Sequence, residues 1–274
     1  MRCALDVDDR QVALRLATSL WLFWYHAGFL REGQDVLETA LNRASCAPAC
    51  LQAKALLALG ALAIPSAELH TSAELLEAAL AQYRAIGDDG GRADCLNNLA
   101  VVPRHRGDLA AAQVYLEECL GLVREKANRR ALATTLQGLG EIALATGGHQ
   151  RAYAFHAESL ALRRELGNTG ASAWSLYFMA LAAHEMGDHA TASIHLAESL
   201  TLASEAADRL LVPCRALDLS ARVAMALGNV HSAGQLIGAA DGLGESIGAF
   251  GAPRVRAERE RVPPLLCRAS VGAC

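Results

Sequence analysis

Aromatic residues are scarce, 5% of 274 positions, and β-branched residues are sparse, so little in the chain favours a sheet. An excess of positive charge is also missing. Lys and Arg total 25 against 29 Asp and Glu, a formal net charge of −4, whereas a nucleic-acid surface needs surplus cations to neutralise phosphates. The one basic cluster, Arg254, Arg256, Arg259, Arg261 and Arg268, is diluted by Glu258 and Glu260 and reads as a solvated helix face. No stretch reaches the ~18 uninterrupted apolar residues of a membrane span. Thr18 and His26 interrupt Leu16 to Leu30, and Ala55 to Ile64 is too short. The opening Met1-Arg2-Cys3, followed by Asp6, Asp8 and Asp9, has no apolar signal core. These absences predict a cytoplasmic protein with no membrane and no direct nucleic-acid contact.

The marks of common chemistry are absent too. No GxxxxGK[ST] loop and no Gly-x-Ser-x-Gly elbow occur. Gly242-Leu243-Gly244-Glu245-Ser246-Ile247-Gly248 has one residue too many for a dinucleotide loop and follows a helical pattern, not a strand. His184 and His189 stand five apart across Gly187, where a helical zinc site needs i and i+4. Eight cysteines in so long a chain make no disulfide framework. Cys95, Cys119 and Cys214 fall in helical patterns as small hydrophobes, and Cys46 and Cys50 lack the second pair a zinc site requires. The expectation is no catalytic residue, no metal and no cofactor.

What the chain has is Ala, Leu and a repeat. Hydrophobic residues make up 53%, dominated by the strongest helix formers, and blocks recur every 40 residues. Leu75–Leu80, Tyr115–Leu120, Phe155–Leu160 and His195–Leu200 close on leucines 80, 120, 160 and 200. Val36–Leu41 precedes them and Leu236–Ala240 is a weaker copy. Gly28, Gly107, Gly147, Gly187 and Gly228, with Ala67 in the second unit, stand before these blocks as helix stops. Asp108, Asp188 and Asn229 follow as N-caps. Five residues past each turn stands a small residue: Gly33, Ser72, Ala112, Ala152, Ala192 or Ala233. Asp88, Asn128, Asn168 and Asp208, preceded by Gly87, Ala127, Gly167 and Ala207, mark the joints between units. Each unit reads as a hairpin of two helices of about 16 to 18 residues.

Gly107-Asp108 with Ala112, and Gly187-Asp188 with Ala192, resemble the tetratricopeptide repeat. The resemblance implies an all-α solenoid of about six antiparallel hairpins in a right-handed superhelix. Its units lie near residues 8–44, 52–87, 88–127, 128–167, 168–207 and 208–248, with a basic, Pro-containing tail at 251–274. Leu20-Trp21-Leu22-Phe23-Trp24-Tyr25-His26-Ala27-Gly28, Arg31-Glu32-Gly33 and Cys95-Leu96-Asn97-Asn98-Leu99-Ala100 carry a narrower likeness. With the Glu-Ser-Leu blocks they resemble the C-terminal array of large bacterial, especially actinobacterial, regulators. Such proteins join an NTPase module to the array, often with a LuxR-type helix-turn-helix or a cyclase domain. This chain has no phosphate loop and no basic recognition helix. The resemblance therefore implies a piece of a signalling or transcriptional regulator, with the NTPase or helix-turn-helix domain on another chain.

The repeat lets columns be read across units. Leu96, Leu136, Leu176 and Leu217, and Ala100, Gly140, Ala180 and Ala221, are core columns of the first helices. Beside them runs Asn97, Gln137, Tyr177 and Asp218. Asp94, Thr134, Trp174 and Arg215 stand one turn earlier, and Val101, Glu141, Leu181 and Arg222 one turn later. Spacings of i, i+3 and i+7 put each set on one helix face. In the tetratricopeptide reading this face lines the concave groove, which is a solvated surface, a recognition surface for a protein, peptide or small effector, or partly buried at its aromatics. Asp94, Asn97, Gln137, Glu141, Trp174, Tyr177, Arg215, Asp218 and Arg222 are the groove candidates, expected half-exposed. A second candidate is Trp21, Phe23, Trp24 and Tyr25, on a helix apolar all round. It is wrapped by Met1 to Arg10 and the second unit, or docks an upstream domain or another chain.

Overall fold

A computed structural model describes residues 6–206 and 211–246. Among the described residues there are twelve helices and no strand. They are α1 Asp6–Ala27, α2 Leu30–Arg43, α3 Ala49–Ala63, α4 Leu69–Ile86, α5 Asp89–His105, α6 Leu109–Glu125, α7 Arg129–Ala145, α8 His149–Glu165, α9 Thr169–Glu185, α10 His189–Glu205, α11 Leu211–Ala226 and α12 Val230–Ser246. Successive helices joined by such short turns run antiparallel, so the chain is an all-α series of helical hairpins. They form two compact units divided between Gly138 and Leu139. No described helix is long and apolar enough to cross a membrane.

Helix α6 shows how the sequence sets an element. Asp108 precedes it with a non-helical backbone, and its carboxylate accepts a hydrogen bond from the Ala111 amide at 3.0 Å, filling one of the open donors of the first turn. Ala112, Leu116, Cys119 and Val123 follow at i, i+4, i+7 and i+11 and are the buried face. Ala127, at φ 53°, then ends the run. The same capping recurs from Asp88 to the Gly91 amide, Asn128 to Ala131, Asn168 to Ala171, and Asp188 to Thr191.

The intra-hairpin turns fall where the sequence places them. Gly28, Gly107, Gly147, Gly187 and Gly228 have φ between 78° and 83°, and Ala67, the substitute in the second hairpin, takes φ 61°. An L-residue pays roughly 1–2 kcal/mol for that conformation, so the turn is imposed by the packing of its helices. The joint residues Ala207 and Asp208 and the tail at 251–274 lie outside the described residues.

The small residues after the turns do what their spacing implies. Ser72, Ala112, Ala152, Ala192 and Ala233 are fully buried, and Gly33 is buried. At Gly33 a Cβ would stand 2.9 Å from the Trp24 Cβ. Polar members of these interfaces turn inward onto the neighbouring backbone: Ser72 Oγ donates to the Gly60 carbonyl at 2.8 Å and Ser199 Oγ to that of Ala173 at 2.8 Å. In the first unit Leu14, Leu37 and Leu62 fill one cluster and Leu76, Leu96, Cys119 and Val123 another. In the second, Tyr177, Leu196, Leu219 and Val223 pack together.

Three details differ from the sequence reading. Helix α1 runs to 22 residues and α2 only to 14. Leu217, expected in the core, is half-buried. Ala216 and Leu219 are buried instead, so the core face of α11 is turned away from Leu217.

Replacing Ala192 by Leu forces methylenes into a site of zero exposure and should destabilise the second unit by about 1–3 kcal/mol. Gly121→Ala is the opposite case. Its Cβ meets nothing within 4 Å, and the loss of a mid-helix glycine should stabilise by about 0.5–1 kcal/mol. Denaturant melts of the two variants check the register; equal shifts would refute it.

Candidate functional site

The nine groove candidates divide between the units. In the first, Asp94 is exposed and Gln137 half-buried, but Asn97 is only 9% exposed. Its Oδ1 accepts from Thr135 Oγ1 at 3.1 Å, and Thr135 also donates to the Ala131 carbonyl and meets the Cys119 thiol at 3.2 Å. The expectation that Asn97 faces solvent is thus corrected. A buried amide must find a partner, and Asn97 finds one on α7, so it ties helices together.

In the second unit the aromatics of α9 build a stack. Trp174 lies edge-on to Tyr177 and stacked, with a tilt of 27°, on Phe178, each at 5.8 Å between centroids. The Arg215 guanidinium of α11 sits 5.8 Å from the Trp174 ring centre, within cation–π range. Tyr177 is only 6% exposed and belongs to the core, which corrects its expected exposure. The ring fills the space between α9 and α11 and supports Trp174, which stays half-buried. Asp218 and Glu141 are half-buried and Arg222 is exposed. Arg222 pairs with Glu185 of α9 at 2.8 Å, an exposed contact of little energetic weight.

The N-terminal candidates also separate. Trp21 and Trp24 pack partly against the first core cluster. Phe23 is 58% and Tyr25 42% exposed. With Val12, Leu16 and Leu20, all exposed, Phe23 forms a stripe spaced 4, 4 and 3 along α1. Side chains from Met1 to Asp9, invoked in one reading to wrap this helix, lie outside the described residues.

His184 and His189 do meet, across the Gly187 turn, with their Nδ1 atoms 3.2 Å apart. No third donor joins them: the described residues contain no group of three or more His, Cys, Asp or Glu able to hold a metal.

Two residues went unnoticed in the sequence. The buried column of the second helices reads Leu37, Leu76, Leu116, His156, Leu196, so a histidine replaces a leucine in the core at zero exposure. Its ring stacks on Phe178 at 4.8 Å, and among the described residues neither ring nitrogen has a hydrogen-bond partner. It fits because residue 140 is glycine; a Cβ there would stand 2.5 Å from Nε2. Seven residues on, Arg163 occupies the column of Tyr83, Val123 and Ala203, is 6% exposed, and donates to the Ala171 carbonyl at 2.7 Å and Ser175 Oγ at 3.0 Å. Reading down the aligned blocks would have found both.

Residues 131–205 match the tetratricopeptide repeat. This repeat is a non-catalytic interaction module. No curated protein sequence matches the chain. Among solved structures the fold is shared with the apo form of RapI, at TM-score 0.72 and 12% identity over 87% of this chain and 85% of that one. It is shared with BtubC from P. vanneervenii, at 0.64 and 14% over 90% and 93%. The Rap conjugation gene regulator of plasmid pLS20, in complex with the Phr* peptide, follows at 0.67 and 12% over 84% and 64%. At these identities the likeness is one of fold.

Burial, with the charge of Arg163 second, pushes His156 from its usual 6.5 down to about 3. The unfolded chain therefore takes up this proton first. The stabilisation is complete above pH ~6.5 and is lost as pH falls towards about 3, by ~1.4 kcal/mol per pH unit. His156→Leu, which restores the residue of the neighbouring repeats, should flatten that acid limb. His184 and His195, also lowered chiefly by burial, remain as a shared background. Thermal melts between pH 7 and 4.5 decide the matter: parallel curves for both proteins would assign acid sensitivity elsewhere.

Proposed function

We propose that this chain is the partner-recognition module of a bacterial signalling or transcriptional regulator, and that it captures a peptide segment on the first-helix face of its second unit. The observation that carries this is Trp174: half-buried, supported from beneath by Tyr177 and Phe178, and flanked by Arg215. An aromatic ring held rigid by its neighbours loses little entropy when a partner covers it, and Trp and Arg are the residues that dominate such contacts. Arg215 beside it offers a planar donor to a carboxylate or backbone carbonyl of the segment. The peptide-bound Rap regulator, of the same fold, supports a peptide over a small effector. The resemblance to the arrays of NTPase-containing regulators supports the regulatory setting, with the NTPase or helix-turn-helix domain on another chain.

A second reading rests on the exposed stripe Val12, Leu16, Leu20 and Phe23. Four large apolar side chains in line on one helix mark an interaction surface, which makes the N-terminal hairpin an assembly face for another chain.

The test is a double substitution that spares the core. Tyr177 is structural, so Trp174→Ala with Arg215→Ala is used, and the partner is identified by cross-linking before affinity is measured. Loss of both anchors should weaken binding by at least about tenfold while the melting temperature changes little. If affinity survives, the second-unit face is not the recognition site. If it falls instead in Leu16→Asp with Phe23→Asp, the N-terminal stripe is the docking face.

A further inference from the structure

The first unit holds a cleft of about 440 Å3 on the side formed by α1, α3 and α5, within the range of small-ligand sites. Its apolar wall is Trp21 and Leu57, its floor includes Tyr83, and its charged groups are Arg15, Lys54, Asp88 and Asp94. We propose that this cleft binds a cationic amine or guanidinium group, with the positive charge against the Asp94 carboxylate and the Trp21 ring, donating to the Tyr83 hydroxyl.

Three observations select a cation. Asp94, though exposed, forms no ion pair among the described residues, and the partial loss of water on its protein side raises its carboxyl above the usual carboxylate range, despite attraction from Arg130 and Lys54. Such a carboxylate gains more from a partner than a fully hydrated one does. Tyr83 is 4% exposed, lines the cleft, and has no hydrogen-bond partner among the described residues. Its ring is buried but its hydroxyl reaches the cleft, where it is an open acceptor and donor. Burial first, then Cys95, Asp88 and Asp94, holds its phenol above the usual range, so it stays protonated and neutral. Its placement is built in: a Cβ on Gly91 would stand 2.2 Å from the Tyr83 Cε1, so only glycine lets the ring lie against α5. Trp21 is half-buried and supplies a ring for cation–π contact.

The positive groups of the cleft do not oppose this. Arg15 and Lys54 stand exposed on long flexible stems that can swing into water, while Asp94 has a short side chain on a fixed helix. Asp88 is already engaged, capping α5 through the Gly91 amide at 3.0 Å. An anion would meet Asp94 directly, whereas a cation completes it. The cleft lies in the first unit and the proposal does not rest on Trp174.

The experiment uses the full chain, labelled with nitrogen-15, and five capped or free tripeptide amides. Acetyl-Gly-Lys-Gly, acetyl-Gly-Arg-Gly, acetyl-Gly-norleucine-Gly and acetyl-Gly-Glu-Gly differ only at the central residue, and uncapped Gly-Gly-Gly offers an N-terminal amine. The Trp21 indole N–H, assigned with Trp21→Phe, reports binding. Saturable shifts with the lysine, arginine or free-amine probe, and none with norleucine or glutamate, support the proposal and name the source of the charge. Asp94→Asn should weaken that binding at least about tenfold, and Lys54→Met should tighten it by removing a competing cation. Tyr83→Phe keeps the ring and removes only the hydroxyl, so it decides the matter if Asp94→Asn alters the fold; it should weaken binding several-fold. Equal shifts from norleucine, no shift from any probe at millimolar concentration, or unchanged affinity in a folded Asp94→Asn or Tyr83→Phe protein would overturn the proposal.

Discussion

Everything in this fold follows from one steric condition: within each hairpin two helix backbones cross where the second helix carries almost no side chain. Ser72, Ala112, Ala152, Ala192 and Ala233, all fully buried, are those crossings, with Gly33 in the first hairpin. Close approach at the crossing brings the leucines one turn later, Leu37, Leu76, Leu116 and Leu196, into the centre of each interface. It also sets the length of the turn that can connect the helices. That is why the second hairpin forms even with Ala67 in a left-handed conformation. The packing of a hairpin and its neighbours outweighs a local strain of roughly 1–2 kcal/mol.

A core defined by columns makes departures conspicuous, and the departures are polar. His156 replaces a leucine, and Arg163 and Tyr83 stand where other repeats have Val123 and Ala203. Arg163 is satisfied, donating to Ala171 and Ser175. His156 is not, since both its nitrogens lack partners among the described residues, and it persists because a neutral imidazole stacked on Phe178 costs less than a charged one. A buried polar group without partners costs about 1–3 kcal/mol. Tyr83 is the third case: buried along its ring, with its polar end at a cleft. The same column position is therefore filled by a group that ties two helices together in one repeat and by a group with an open hydroxyl in another.

The hairpins were legible because their signals are local and repeated. Turn, cap and small residue recur at fixed offsets, and each offset has its own steric or hydrogen-bonding cause. The groove candidates were legible only as a column. Periodicity places Asn97 and Tyr177 on the face beside the core but cannot say how far the next helix covers them. Asn97 is covered because Thr135 reaches back to it, and Tyr177 because its ring is long enough to enter the space before α11. At Leu217 the spacing named the helix but not the face it turns inward: Ala216 and Leu219 are buried, and one residue along a helix is about 100° of rotation. His156 was readable in the aligned blocks, but a histidine among leucines looks unremarkable until its exposure is known to be zero.

The division of labour between helices follows from this geometry. The second helices carry the crossing residues and the leucine column, so a polar group there is either tied into the interface, as Arg163 is, or isolated, as His156 is. The first helices pack through Leu96, Leu136 and Leu176, which leaves the adjacent column free to vary without disturbing a crossing. In that freedom Asn97 became a tie, Tyr177 a support and, one turn before it, Trp174 a half-open ring beside Arg215. The exposed residue is held in place by the buried one. A rigid anchor of that kind requires the aromatic beneath it to be core, so the burial of Tyr177 strengthens Trp174 as a contact residue while removing Tyr177 from the list.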